Sequence, residues 1–261
     1  PWLEANPKCP PEHKKIDRAD LILVTHGHAD HASEVVSVAR ATGAPVVAIV
    51  ELAKWFEKQG LKPVHGINKG GTVTVAGLDV TMVSAQHSSS VEVDGQVVYL
   101  GEPAGYVVKL EDDRAIYFAG DTDVFGDMAL IKQLHAPEIA FLPIGDHYTM
   151  GPKGAALAAE LLGVRQVVPM HYGTFPVLTG TPEALRPLLP SGVGLLELKP
   201  GETATGRFPR IADVEVARAF RPANGAADAA ALQDDPSDRP TAPLKGCATA
   251  SHWSGRLRRS A

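Results

Sequence analysis

The chain has 261 residues, 44% of them hydrophobic, and a formal net charge of −5. That apolar content is ample for a sizeable core in one large domain or two small ones, and a charge so mild, with no Lys/Arg stripe, argues against nucleic acid as a partner. No apolar run nears the ~20 residues of a membrane span, and Cys9 and Cys247 form neither a metal-type pair nor a disulfide framework, so a cytoplasmic protein is expected.

The first stretch, PWLEANPKCPPEHKK, reads as loop and starts at Pro1 without an initiator Met, so the natural beginning is expected upstream. Residues 19–25, ADLILVT, predict a short buried strand, and 32–41, ASEVVSVARA, predict a helix that stops at Thr42-Gly43 before Pro45. PVVAIV (45–50) predicts a second strand, and ELAKWFEKQG (51–60) a helix closed by Gly60. Period-two alternation over 72–85 around Ala76-Gly77 predicts a hairpin, and three more short strands fit within 97–121.

Helices are predicted at 127–135, 152–162 and 181–188, the last with Pro182 in its first turn, and strands at 138–144 and 165–169. Sheet-rich and helix-strand stretches alternate within one chain, which predicts an α/β fold of two packed sheets with helices outside. Beyond residue 202 the periodicity fades into Ala, Asp, Pro and Arg, so 1–202 is expected to be the folded domain and 203–261 a disordered tail. Nine Lys/Arg against six Asp/Glu fall in that tail, which makes the folded part the acidic part.

His26, His28, Asp30 and His31 lie within six residues, just after an apolar strand. In an extended segment His26 and His28 can point the same way and grip one ion, while Asp30 and His31 can face a second as the chain turns into a helix. Imidazole and carboxylate without thiolate suit Zn²⁺, Mn²⁺ or Fe²⁺ rather than a closed structural zinc site. Two ions about 3.5–4 Å apart need more ligands than this segment offers. His87, Asp121 and His171 each follow a predicted strand, at the end where a layered fold collects its loops. His13, His65, His135 and His252 are read as ordinary surface or core histidines.

HGHADH resembles the HxHxDH signature of the metallo-β-lactamase superfamily, with His87 in AQHSSS, Asp121 in AGDTD and His171 in PMHYGTF in the matching order. More narrowly, PWLEANP, THGHADHASE, YFAGDTDVFGDM, LPIGDHYTMGP and VVPMHYGTFP are similar to a bacterial and archaeal family of small metal-dependent hydrolases near the ascorbate-6-phosphate lactonases. The resemblance covers roughly residues 1–202 and implies a four-layer αββα sandwich. It further implies that His26, His28 and His87 bind one metal, that Asp30, His31 and His171 bind a second, and that Asp121 bridges them. A water or hydroxide between two divalent ions, Zn²⁺ before Mn²⁺ or Fe²⁺, would attack a carbonyl or phosphoryl centre, with Asp30 able to take its proton. Relatives begin with a β-hairpin ahead of the Pro-Trp pair, which this sequence lacks.

The loop IGDHYTMGP (144–152) offers His147 as a proton donor to a leaving group, the bland alternative being a turn that caps the next helix. Ser88, Ser89 and Ser90 have no free His-Asp pair to activate them and are read as groups that orient His87 or line the pocket. The expected partner is a small-molecule substrate, lactone or ester-type before phosphodiester by analogy, and relatives suggest a homo-oligomer. The competing expectations are a di-iron oxidoreductase of the same fold, against which stands the absence of any CxxC or dinucleotide fingerprint, and an inactive metal-binding remnant.

Overall fold

In a computed structural model of the chain, residues 1–110 and 112–204 are described. The tail expected at 203–261 therefore lies, apart from Thr203 and Ala204, outside the described residues, as do Cys247 and His252. In chain order the elements are β1 (Ile22–Leu23), α1 (Ala29–Ala32), α2 (Val35–Thr42), β2 (Val46–Ile49), α3 (Val50–Lys58), β3 (Val64–Ile67), β4 (Thr72–Val75) and β5 (Leu78–Ser84). There follow β6 (Ser90–Val93), β7 (Gln96–Tyr99), β8 (Ala104–Lys109), β9 (Ala115–Phe118), α4 (Met128–His135), β10 (Ile139–Pro143), α5 (Pro152–Leu162), β11 (Gln166–Met170), α6 (Pro182–Leu185) and β12 (Gly194–Leu195).

One sheet is parallel and ordered β1-β2-β3. The other has seven strands ordered β12-β11-β10-β9-β8-β5-β4, parallel from β12 to β9 and antiparallel from β9 to β4. The hairpin β6-β7 stands apart from both. β2 buries all four of its residues, as a strand covered on both faces must. Its valines share a core with Val80, Met82 and Tyr106 of the large sheet and with Val35 of α2 and Phe56 of α3. Tyr106 Oη ties the sheets together, donating to the Val24 carbonyl at 2.8 Å and reaching the Val47 carbonyl at 3.2 Å. A second core joins Tyr117, Leu142 and Val167 to Met128 of α4, Leu185 of α6 and the alanine-rich face of α5. The layers therefore run helix, sheet, sheet, helix, as the αββα resemblance implies.

The helix expected at 32–41 begins at Val35, and the short helix α1 ends before it at Ala32. Glu34 stands between them at φ −105°, ψ 6°, and its carboxylate is used elsewhere, accepting from the Leu3 and Glu4 N–H groups at 2.8 and 3.0 Å. The expected helix 181–188 tightens to a 3-10 turn over Arg186–Leu188, because Pro187 has no N–H to continue the α ladder. The strand expected at 19–25 shortens to Ile22–Leu23, although Val24 N–H still donates to the Val47 carbonyl at 2.9 Å. β3, β6 and β12 go beyond the expected strands. Of their sequences, VHGI and GL lack an apolar alternation and are strands because a neighbouring strand pairs with them, whereas SVEV alternates and turns through Asp94-Gly95, both at positive φ, into β7.

Candidate metal centre

Four strands deliver the centre at one edge of the sandwich. His26 and His28 follow β1, and Asp30 and His31 ride on α1. His87 follows β5, Asp121 follows β9 and His171 follows β11. The structure brings all seven together in two adjacent groups, His26-His28-His87 and Asp30-His31-Asp121-His171, with the ligating atoms of each group within 4.8 Å of one another. Asp121, 3% exposed, faces both: its carboxylate lies 3.9 Å from His26 Nε2, 3.7 Å from His87 Nε2, and 3.2 Å from both His31 Nε2 and His171 Nε2. Asp30 Oδ2 lies 3.2 Å from His31 Nε2 and 3.4 Å from His171 Nε2.

These contacts do not form a self-satisfied hydrogen-bond network. His31 Nε2 and Asp121 Oδ1 are both buried and, despite their 3.2 Å separation, neither makes an aligned hydrogen bond. Buried polar atoms left this way are costly unless something pairs with them. A divalent cation among nitrogen and oxygen donors meets that need, so the residues fit a metal.

The electrostatics divide the two groups. Burial lowers His26 to about 2, with the neighbouring His31 adding to the effect, and burial likewise lowers His28 and His87. All three are neutral imidazoles near pH 7, the form that ligates metals. In the other group burial also works against charge, but Asp121 and Asp30 beside His31 and His171 outweigh it and raise these histidines to about 9 and about 10. For Asp30 and Asp121 burial acts upward, and the two histidines more than reverse it, leaving both carboxylates ionised far below their ordinary range.

Local packing sets these directions. Thr25 Oγ1 lies 3.0 Å from His26 Nδ1, which leaves Nε2 for the centre. Gly27 N–H donates to Ser89 Oγ at 3.1 Å, and a Cβ on Gly27 would stand 3.0 Å from the Ser90 carbonyl oxygen, so the histidine loop lies directly on the serine run. Ser88 Oγ is 3.4 Å from His28 Nε2. The serines thus orient the HxH loop rather than His87, and the sequence signal for this was the Gly between the two histidines.

A cleft of about 1020 Å³ opens over the centre, reaching His28, Asp30, His87, Asp121 and His171. His147 is not among the residues that line it. It is exposed, at φ 57°, with its ring edge-on to Tyr148 at 4.4 Å, and Tyr148 is the side chain that this turn presents to the cleft. Sequence reasoning missed Trp2 and Phe175, which stack at 5.8 Å and 18° on the cleft wall from segments far apart in the chain.

Residues 2–172 match the family described as Beta-lactamase superfamily domain. Over 203 residues the chain is 49% identical to a UPF0173 metal-dependent hydrolase of Koribacter versatilis, covering 78% of this chain and 87% of that protein. Over 186 residues it is 53% identical to the UPF0173 metal-dependent hydrolase of Solibacter usitatus, covering 71% and 80%. The chain belongs to the UPF0173 family of metal-dependent hydrolases. Among solved structures this UPF0173 hydrolase is similar to Igni18, a metallo hydrolase from Ignicoccus hospitalis, with a TM-score of 0.68 and 35% identity over 80% of this chain and 89% of that one. That likeness agrees with the αββα layering, and the seven donors give a UPF0173 metal-dependent hydrolase its candidate metal groups.

Proposed function

We propose that this hydrolase works with two divalent metal ions, Zn²⁺ first and Mn²⁺ or Fe²⁺ as alternatives, on an ester-like or lactone-like carbonyl before a phosphoryl centre. The observation that carries the reading is the division of the donors into a neutral three-histidine group and a neighbouring group of two carboxylates and two histidines, with Asp121 facing both. His26, His28 and His87 would hold one ion, Asp30, His31 and His171 the other, and Asp121 would serve both. Bound there, the ions supply Lewis acidity and bring a water's pKa toward neutrality.

The chain's own residues do the rest. Thr25 and Ser89 hold the HxH loop in register. Asp30 is the more accessible of the two carboxylates, its side chain 35% exposed against 4% for Asp121, and it lines the cleft. It can therefore accept the proton of an attacking water, while Asp121 stays in the centre. From the turn after β10, Tyr148 stands over the cleft and can orient a leaving group.

Elemental analysis of the purified protein, joined to turnover of a generic ester and a bis-phosphodiester by the wild type, His28→Ala and Asp121→Ala, tests this. Two metal equivalents and loss of turnover in both variants are expected. Unchanged turnover in both, or a protein that takes up no metal, sinks the assignment, and an iron-specific spectrum with redox turnover would favour oxidoreductase chemistry instead.

A further inference from the structure

Resting on the hydrolase reading, we propose that the cleft selects an uncharged substrate with an aromatic or other flat apolar body and turns away substrates bearing a phosphate distant from the scissile bond. Three observations point there. The first is charge. Apart from the centre's own histidines, the ionisable groups lining the cleft are the carboxylates Glu4, Asp30, Glu34 and Asp121 and the phenol of Tyr148, and among the described residues no Lys or Arg lines it. Lys14 lies near the rim, but its ammonium donates to the Glu4 carbonyl at 2.8 Å, outside the lining. Sites that take phosphate present guanidinium or ammonium groups to it. Here Asp30 and Asp121 belong to the metal groups, and the two remaining carboxylates, Glu4 and Glu34, add negative charge to the lining that a second anionic group would meet.

The second observation is the aromatic wall. Trp2 and Phe175 are stacked, and Tyr148 joins them on the lining, with Phe175 43% and Tyr148 54% exposed. Large aromatic surface left open beside a catalytic centre offers a flat apolar body a place to lie. The third is how the wall is held. Glu34 Oε1 accepts the N–H groups of Leu3 and Glu4, which fixes the segment carrying Trp2 to the turn directly after the helix that bears Asp30 and His31. Glu34 is thus a positioning residue that keeps the apolar wall in register with the metal donors. A cleft of about 1020 Å³ suits a small molecule of drug size rather than a polymer.

The test compares kcat/KM of the metal-loaded full chain for 4-nitrophenyl phenylacetate and for the same ester carrying a phosphonomethyl group on the distal ring. The leaving group is common, so only the cleft discriminates. The uncharged ester is expected to win by about 100-fold, Phe175→Ala to raise its KM about 10-fold with kcat held within about two-fold, and Glu4→Lys to narrow the preference about 10-fold. Equal or better turnover of the phosphonate ester overturns the inference and leaves the hydrolase reading standing, and so does an unchanged preference in Glu4→Lys together with an unchanged KM in Phe175→Ala. If neither ester is turned over, the ester-hydrolase reading fails by itself, and calorimetric titration with the two corresponding amides decides the cleft: tighter binding of the uncharged amide upholds the inference, and equal binding overturns it.

Discussion

A Cβ placed on Gly120 would stand 2.8 Å from the Thr25 side chain. Each of these residues immediately precedes a metal-site donor, Asp121 and His26, so the two strand ends that carry the most buried donors are pressed together at the one place where a side chain is missing. Gly120 also sits at φ +63°, a conformation that L side chains rarely adopt. Gly120→Ala therefore adds strain of roughly 1–3 kcal/mol and pushes Asp121 and His26 apart. The expected outcome is a lower Tm together with less than two bound metal equivalents, measured by thermal denaturation and elemental analysis. Full metal content in a stable variant would show that the contact does not set the donor geometry.

Asp121 is within 4 Å of four histidines from both groups. Asp121→Ala removes the carboxylate that lies within 4 Å of His26 and His87 and takes from His31 and His171 one of the two partners that raise their pKa. Activity is expected to fall by about 100-fold or more, with both metals lost or weakened, whereas His28→Ala should chiefly deplete the first group. Site-resolved metal titration of the two variants separates these effects.

Metal uptake by the stripped protein should depend steeply on pH. His31 and His171, raised to about 9 and about 10, carry protons at pH 7, and a metal takes only the neutral imidazole. Protons therefore compete with the ion: affinity rises with pH until those values are passed and falls as pH drops. The second group should accordingly be the more pH-sensitive, since His26, lowered to about 2, has no proton to release there. Calorimetry in buffers of differing ionisation heat is expected to count up to two protons released on loading. No proton release at pH 7 would contradict the carboxylate-histidine pairing.

Ser89 is 2% exposed and its hydroxyl is the partner of the Gly27 N–H. Ser89→Ala leaves that N–H buried without an acceptor, at a cost of about 1–3 kcal/mol. Lower stability and weakened metal binding at the first group are expected, while Ser88→Ala, on a more open residue, should leave stability near wild type. Equal behaviour of the two variants would remove the special role of Ser89.

His147→Gln is expected to change kcat/KM by less than about three-fold, and Tyr148→Ala to raise KM several-fold, because Tyr148 rather than His147 lines the cleft. A kcat collapse in His147→Gln would restore His147 as the proton donor that its place in the chain suggests.

The metal donors are legible in the sequence because ligation demands particular chemistry at particular places. Four donors in HGHADH cannot be explained by packing, and the remaining three each sit where a strand hands its chain to the site edge. Strongly patterned elements such as β2, β5 and α5 are legible for the same kind of reason, since burial of a strand or a helix face imposes its own periodicity. What only the tertiary structure decided depends on partners far off in the chain. The pairing that makes a strand of VHGI, the bond from Glu34 to the segment carrying Trp2, the turning of Tyr148 rather than His147 toward the cleft, and the stacking of Trp2 on Phe175 leave no local signature. A side chain's chemistry is written at its own position, but the direction it faces is set by whatever the fold packs against it.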